Sequence, residues 1–310
     1  MNVEDIRRVL VVGAGTMGQQ IALQCAMHGC DVNVYDVSPA ALKSATEKIN
    51  AYASQLISQQ RMTADESRAA LARISYATNQ REAATADLLS ESVPEDIDLK
   101  ARVFAQFNQF CPPHTIFTTD TSTLLPSMYA EATGRPGQFA AFHFHQAPHV
   151  WDSNLVDIMP HPGTSPETIE LLHAFAKRIG QIPIVLKKES PGYVFNAIYG
   201  AMNEAAIKLL STGVASVEDI DRAFMAVTKM PIGPFGGLDM VGLDTIWHIT
   251  QSKAKLTGDT KMQAGADWFK KEYVDKGWLG VKSGRGFYTY PDPAYARPGF
   301  LTGENSPDEN

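Results

Sequence analysis

The side chain with the clearest capacity for acid–base chemistry is His143, which follows the apolar run Phe139-Ala-Ala-Phe142. Such a run predicts a buried strand, and in open α/β sheets ligands bind beyond the carboxyl ends of the strands. An imidazole titrates near neutrality, so it can take up and return a proton during a reaction. Taken alone, a histidine at a strand end is more often structural, so the surrounding residues must decide its role.

A glycine-rich segment near the N-terminus has the pattern G-x-G-x-x-G. It comprises Gly13, Ala14, Gly15, Thr16, Met17 and Gly18. The segment follows the apolar strand predicted over Val9–Val12 and begins a helix, which is the context in which this motif binds a dinucleotide pyrophosphate. Asp36 comes 23 positions after Gly13 (36 − 13), where a carboxylate binds the adenosine ribose and repels a 2′-phosphate. The motif therefore predicts NAD rather than NADP; the alternative is a structural turn that binds nothing.

The elements that position these residues alternate between strands and helices. We predict strands at 9–12, 32–35, 87–89, 115–118 and 139–142, with a helix from about Met17 to His28. The polar stretch from Pro39 toward Leu71 is long enough to predict a helical hairpin that projects from the sheet. This alternation predicts an α/β fold with a Rossmann-type, parallel, doubly wound sheet.

After the run Pro183-Ile-Val-Leu186 the pattern changes to helix alone, over about 193–210, 217–227 and 245–255. We therefore expect two domains, residues 1–188 with the sheet and its hairpin insertion, and residues 189–310 as a C-terminal all-helical domain for substrate binding and dimerisation. Apolar Ala- and Met-rich segments in the second domain favour helix–helix contact. The polar tail after Gly303 is expected to be frayed.

Composition narrows the partners. The formal net charge of −7 over 310 residues gives no indication of nucleic-acid or membrane binding. The acidic N-terminal residues do not look like a targeting peptide, and no apolar run approaches the roughly 20 residues of a membrane span. Three cysteines at irregular positions predict neither disulfides nor a metal site. We expect a cytoplasmic protein without a bound metal.

The chain resembles the 3-hydroxyacyl-CoA dehydrogenase family, which includes 3-hydroxybutyryl-CoA dehydrogenases and a lambda-crystallin/gulonate dehydrogenase branch. The resemblance runs roughly from residue 8 to residue 290 and depends on the order and spacing of several blocks. These are Val-Val-Gly13-Ala-Gly15-Thr-Met-Gly18, Glu91-Ser-Val-Pro-Glu95, Asp120-Thr-Ser122-Thr, His143-Phe-His-Gln-Ala-Pro, Leu155-Val-Asp157-Ile, Pro191-Gly-Tyr-Val-Phe-Asn196, Pro231-Ile-Gly-Pro-Phe235, Leu238-Asp-Met-Val-Gly-Leu-Asp244 and Gly284-Arg-Gly-Phe-Tyr288.

The resemblance implies roles for four catalytic residues. His143 matches the base that takes the proton from the substrate 3-hydroxyl, and Asp157 matches the carboxylate that pairs with it. Ser122 matches a hydroxyl that contacts the reacting oxygen and the cofactor, and Asn196 matches an amide that completes the hydrogen bonding. The alternatives are a helix cap or turn for Ser122, a helix-start residue for Asn196 and an ordinary strand carboxylate for Asp157.

The resemblance also implies that Glu91, Glu95 and Lys100 line the cofactor cleft, with Lys100 near the nicotinamide ribose. It implies a homodimer joined through residues beyond Asn196; a monomer that buries the same apolar faces internally is the alternative.

Three departures from the family pattern concern the substrate. The family usually has Glu where this chain has Asp157, and its His-Phe-Phe-Asn-Pro is replaced by His143-Phe-His145-Gln146-Ala-Pro148 with one extra residue. Trp151 follows in the altered loop and can reshape the acyl pocket. The region from 51 to 71, lysine-rich in the short-chain acyl-CoA enzymes, offers only Arg61 and Arg68, which would weaken binding of CoA phosphates.

Three functions remain open from the sequence. The first is reversible, NAD-dependent oxidation of a short-chain L-3-hydroxyacyl-CoA. The second is a dehydrogenase of a free 3-hydroxy acid, such as a sugar acid or a carnitine-like compound, which the scarcity of lysine favours. The third is a non-catalytic, crystallin-like protein, against which the retention of His143, Ser122 and Asn196 argues.

Overall fold

The computed structural model describes residues 1–146 and 148–303, except the side chains of 82–84 and 256. It divides into two compact units, Met1–Val194 and Phe195–Asn310. This division lies six residues (194 − 188) beyond the domain boundary that the sequence predicts. The tail after Gly303, which we expect to be frayed, lies outside the described residues.

The first unit is an α/β domain. Its strands are β1 Arg8–Val12, β2 Asp31–Tyr35, β3 Ile74–Ala77, β4 Leu88–Glu91, β5 Ile116–Thr119, β6 Phe139–Phe144, β7 Leu155–Met159 and β8 Ile182–Val185. Its helices are α1 Thr16–Met27, α2 Pro39–Ser58, α3 Ala64–Leu71, α4 Ile97–Asn108, α5 Val150–Ser153 and α6 Pro166–Arg178. The predicted strands are confirmed to within two residues at either end. The strands β3, β7 and β8 are not among the predicted ones.

The eight strands form one sheet in the order β3-β2-β1-β4-β5-β6-β7-β8. The order reverses between β1 and β4, and this switch point is where doubly wound sheets bind their ligands. All neighbours are parallel except β6 and β7, which are antiparallel. The expectation of a wholly parallel sheet is therefore wrong at this pair, because the ten residues 145–154 are too few for a crossover between parallel strands.

The predicted helical hairpin is confirmed as α2 and α3. Ser38 caps α2, and Thr63 forms a capping box with Glu66 at the start of α3. The apolar face of α2, with Leu42 and Ile49, is buried in the core against α1. The hairpin therefore lies on the domain and does not project from it, since burial of this face stabilises the hairpin far more than propensity alone.

The second unit is helical, as predicted. Its helices are α7 Phe195–Ser211, α8 Val217–Thr228, α9 Pro234–Val241, α10 Leu243–Thr257 and α11 Thr260–Glu272. Its core contains Phe235, Leu238, Leu243 and Phe269. Within the described ranges, no helix combines the length and the apolar character needed to cross a bilayer.

Candidate active site

The glycine-rich loop between β1 and α1 has the backbone that its sequence requires. Gly13 has φ +108°, and a Cβ there would lie 2.6 Å from the carbonyl oxygen of Ser92. A Cβ on Gly18 would lie 1.9 Å from the carbonyl oxygen of Gly13. Only glycine fits these two positions, because one forms the turn and the other packs helix against strand.

Gly15 has a different environment, which fits a dinucleotide. A Cβ built on it would have no atom within 4 Å. Gly15 is also the N-cap of α1, and it has no side chain to bond the amides of the first turn. Gly15 and Thr16 are exposed and Met17 is half-buried, so the helix N-terminus faces open space. Donor amides beside an open space are the arrangement that binds a pyrophosphate.

Asp36 follows β2 and lies beside this loop. Its Oδ2 accepts a hydrogen bond of 2.9 Å from the amide of Ala14, and its Oδ1 accepts one of 2.9 Å from the amide of Ser38. The carboxylate is half-buried. It is therefore held next to the glycine loop, at the side of the switch point where a ribose would lie.

Glu91, the last residue of β4, and Lys100, in α4, form an ion pair on the β4 side of the switch point. Lys100 Nζ lies 2.7 Å from Glu91 Oε1, and the two side chains are 1% and 0% exposed. Glu91 also accepts hydrogen bonds of 2.7 Å from Thr119 Oγ1 and from the amide of Val93. Burial raises the pKa of Glu91, although the charge of Lys100 opposes this rise. The predicted contact of Lys100 with the nicotinamide ribose stays a prediction.

Glu95 organises the loop that follows β5. Its Oε1 accepts hydrogen bonds of 3.1 and 2.9 Å from the amides of Ser122 and Thr123, and it also bonds the hydroxyl of Thr121. Burial raises the pKa of Glu95, but Lys100, 3.4 Å away, and these donors outweigh it, so the pKa is lowered. Glu95 therefore stays ionised and holds the backbone of Ser122 at the carboxyl edge of the sheet.

His143 and Asp157 come together across the antiparallel pair of strands. The two residues are direct partners in the β6–β7 register, and directly opposed residues project to the same face. His143 Nδ1 lies 3.6 Å from Asp157 Oδ2, with side-chain exposures of 7% and 0%. This distance is too long for a direct hydrogen bond. The structure thus places the predicted base beside the predicted carboxylate, without a hydrogen bond between them.

The hydrogen-bond partner of Asp157 is His145, which lies one residue beyond β6 and two residues from His143, so that its side chain projects to the same side. His145 Nε2 and Asp157 Oδ2 are 2.7 Å apart. Burial raises the pKa of Asp157, but its interactions with the nearby His143 and the hydrogen-bonded His145 outweigh this effect and lower it. In the sequence, His145 stands out only as a departure from the family pattern. Its position two residues from His143 on an extended chain was the pattern that could have indicated that it lies near Asp157.

Tyr193 packs on the ring of His143. Its ring stacks on His143 at a centroid distance of 4.4 Å and an angle of 6°, and its hydroxyl donates to the carbonyl of Thr121 at 2.5 Å. Burial lowers the pKa of His143, an effect that Asp157 opposes and His145 reinforces. His143 is therefore neutral at physiological pH, as a proton acceptor must be.

Asn196 lies in the first turn of α7, in the second unit. Its predicted part in completing the hydrogen bonding of base and substrate stays a prediction. The imidazole and carboxylate atoms of His143, His145 and Asp157 lie within 4.8 Å of one another. These are ligand types that transition metals also use, and the expectation of no metal likewise stays a prediction.

The loop after β6 is tied to the helical hairpin. Arg61 bonds the carboxylate of Asp152, and its Nη2 donates to the carbonyl of Trp151 at 2.7 Å. Tyr52 of α2 contacts Trp151 edge-on at 5.5 Å, and His149 stacks on Trp151 at 4.8 Å. Arg61, one of the two arginines in the 51–71 region, is therefore paired with the segment after β6, where the sequence departs from the family pattern.

Comparisons with known proteins give the same family for both parts of the chain, over residues 8–290. Residues 8–190 match the family described as "3-hydroxyacyl-CoA dehydrogenase, NAD binding domain", and residues 192–290 match its C-terminal domain. A probable 3-hydroxybutyryl-CoA dehydrogenase of Bacillus subtilis (strain 168) is 33% identical over 288 residues, which cover 93% of this chain and 99% of the relative.

Two solved structures show the same fold. A diketoreductase, described as acting on dicarbonyl compounds, superimposes with a TM-score of 0.85 at 38% identity, covering 92% of this chain and 99% of its own. The (S)-3-hydroxybutyryl-CoA dehydrogenase of Ralstonia eutropha does so with a TM-score of 0.82 at 34% identity, covering 93% and 100%. With the glycine loop, the acidic residue after β2 and both domains accounted for, the chain belongs to the 3-hydroxyacyl-CoA dehydrogenase family of NAD-dependent oxidoreductases.

Proposed function

We propose that this protein interconverts a short-chain L-3-hydroxyacyl-CoA and its 3-ketoacyl-CoA, with NAD as the hydride carrier. The observation that carries this proposal is the buried pair of His143 and Asp157 at the carboxyl edge of the sheet. The same edge holds the glycine loop at the switch point. The names of the relatives from Bacillus subtilis and Ralstonia eutropha support the thioester substrate.

NAD, held at the glycine loop and beside Asp36, would supply the acceptor for the hydride that leaves the carbon carrying the hydroxyl. His143 accepts the hydroxyl proton at Nε2, because its Nδ1 is directed toward Asp157. Asp157 stabilises the imidazolium that forms. Ser122, whose amide is held by Glu95, directs its hydroxyl at the reacting oxygen. In the reverse direction the imidazolium returns the proton to the ketone oxygen.

The lowered pKa of His143 has a consequence for the pH dependence of the reaction. Oxidation requires the neutral imidazole, so kcat/KM for oxidation rises as the pH passes upward through this pKa. Reduction requires the imidazolium, so its kcat/KM falls over the same interval. Because burial lowers this pKa below about 6.5, oxidation is expected to stay active into mildly acidic solution.

The substrate is tested by the initial rate of NADH oxidation with acetoacetyl-CoA, measured beside free acetoacetate and its ethyl ester. We expect turnover with the thioester and at least a tenfold lower kcat/KM with the two CoA-free compounds, since they lack the binding energy of the remote CoA moiety. Turnover with the CoA-free compounds alone would overturn the thioester assignment. Turnover with none of the three, while NADH binds, would argue against the whole proposal.

A second candidate is the oxidation of a CoA-free 3-hydroxy acid or, in the reverse direction, the reduction of a CoA-free dicarbonyl compound. The pairing of Arg61 with Asp152 favours it, because that cation is engaged away from any phosphate. The 38% identity with a diketoreductase supports it too. The variant Arg61→Ala separates the two candidates. If Arg61 binds CoA, this variant raises the KM for acetoacetyl-CoA but not for the CoA-free compounds. The matched control is Arg68→Ala, which breaks an exposed ion pair with Asp65.

We propose that Asp36 sets the choice of NAD over NADP. The variant Asp36→Asn keeps one oxygen, which can accept from only one of the Ala14 and Ser38 amides, and removes the charge that repels a 2′-phosphate. We expect the ratio of kcat/KM for NAD to that for NADP to fall by at least about tenfold. Asp36→Ala serves as the comparison, because it removes the hydrogen bonds as well. An unchanged ratio in both variants would mean that Asp36 does not face the ribose.

We also propose a homodimer joined through the second unit, in the cytoplasm. Apolar side chains on its helices are exposed, among them Ile198 and Met240 at 68% and 63%. Large apolar side chains left exposed on these helices support an interface. All three cysteines are buried and outside any disulfide, which supports a reducing compartment. Light scattering of the purified protein measures the mass directly, and a monomer would exclude this dimer.

A further inference from the structure

One carboxylate oxygen at the candidate active site faces two imidazoles. Asp157 Oδ2 is 2.7 Å from His145 Nε2 and 3.6 Å from His143 Nδ1. Since an ionised carboxylate only accepts hydrogen bonds, the Nε2 of His145 carries the proton of the shorter contact. His143 Nδ1 has no hydrogen-bond partner among the described residues. The carboxylate is therefore bonded to the neighbour of the base and not to the base itself.

This arrangement follows from two residues of this chain. An aspartate is one methylene shorter than the glutamate that the family usually has, so its carboxylate reaches less far across the strand pair. A histidine at position 145, instead of phenylalanine, puts a donor on the same face of β6. The side chains of His145 and Asp157 are 9% and 0% exposed, so water competes little with the bond between them.

We propose that His145 is a positioning residue for the base: it anchors the Asp157 carboxylate beside His143 and takes up part of its charge, so that His143 is less basic than in a simple histidine–carboxylate pair. This inference rests on the proposed function, because it assigns the proton transfer to His143.

The sign of the effect follows from the hydrogen bonds. A donor that occupies Oδ2 reduces the negative potential at His143 Nδ1, and a weaker partner stabilises the imidazolium less. Without the His145 donor, Oδ2 is free to close on His143 and raise its pKa. The other groups that act on the base are Tyr193, stacked on its ring, and the carboxylate of Glu95. Asp120, on the loop after β5, bonds the amide of Phe144, and burial raises its pKa. These groups remain unchanged when residue 145 is replaced.

The test compares pH profiles of kcat/KM for wild type, His145→Phe and His145→Gln, in both reaction directions and with EDTA present. In His145→Phe we expect the acid limb of oxidation and the alkaline limb of reduction to move upward together, by about 0.5–1 pH unit. His145→Gln keeps an N–H donor, so its limbs are expected to lie near those of wild type. Loss of the residue's packing alone would lower the plateaus and leave the limbs in place, which would overturn the proposal, as would a downward shift.

His149→Phe is the matched control, since it removes another histidine that bonds a carboxylate, Asp152 at 2.8 Å. The acid and alkaline limbs of the kcat/KM profiles of this variant are expected to lie at the same pH as those of wild type. Imidazole NMR titration of His143 in the same variants gives a second readout that needs no substrate. If wild type turns over none of the substrates, the proposed function fails, and the NMR shift still decides whether His145 controls the pKa of His143.

Discussion

Replacement of His143 by alanine is expected to lower kcat by about 10²–10⁴-fold, because the proton of the hydroxyl then has no positioned acceptor. The affinity for NADH should hardly change, since the glycine loop and Asp36 lie on the opposite side of the switch point from β6. Steady-state rates and a fluorescence titration with NADH measure the two quantities separately.

A suitable control for this variant is His114→Ala. His114 is half-exposed and lies 3.3 Å from Asp87, on the amino side of β5. We expect its kcat to stay within about twofold of wild type, as for most surface substitutions. Loss of NADH binding in His143→Ala would show that the substitution disturbs the cofactor site, and retained turnover would assign the base to another residue.

Replacement of Lys100 by methionine is expected to destabilise the protein by about 3–5 kcal/mol. Lys100 and Glu91 are almost completely buried, and the ammonium is the only cation that the structure gives to Glu91 among the described residues. Methionine has a similar shape, so the loss comes from an unpaired buried carboxylate and not from a cavity. Urea unfolding followed by circular dichroism measures the free energy of unfolding.

The double variant Glu91→Gln with Lys100→Met removes both charges and should recover part of this loss, because no buried charge is left alone. The exposed pair of Arg73 and Asp31, with side chains 44% and 66% exposed, provides the control. Arg73→Ala is expected to cost less than about 1 kcal/mol. A loss below 1 kcal/mol in Lys100→Met would mean that Glu91 is protonated in the folded protein and needs no partner.

The sequence predicts the shape of the glycine loop and the position of Asp36 beside it, because these signals are local. Gly13 and Gly18 are required by backbone sterics within one turn. Asp36 comes directly after the strand that pairs with β1. These relations span fewer than thirty residues and follow from the strand, the turn and the helix alone, so the arrangement of tertiary elements hardly enters.

The sequence predicts the strands toward the two edges of the sheet less well. β3 is short and only partly buried, so its apolar pattern is weak. β7 is buried from Val156 to Met159 but comes after a four-residue helix, where the alternation of strand and helix predicts a parallel neighbour. The antiparallel direction of β7 depends on the length of its connection and on packing against β6 and β8, which no local pattern records.

What the sequence by itself determined is the class of protein: a dinucleotide-binding sheet followed by a helical domain, with a histidine at the edge where ligands bind. What only the tertiary structure decided is which side chains share the charge of Asp157. That depends on the β6–β7 register, which sets His143 opposite Asp157 and brings His145 to the same face. A slip of one residue would turn these side chains to opposite faces, so the chemistry of the base is a property of the strand pairing as much as of the residues.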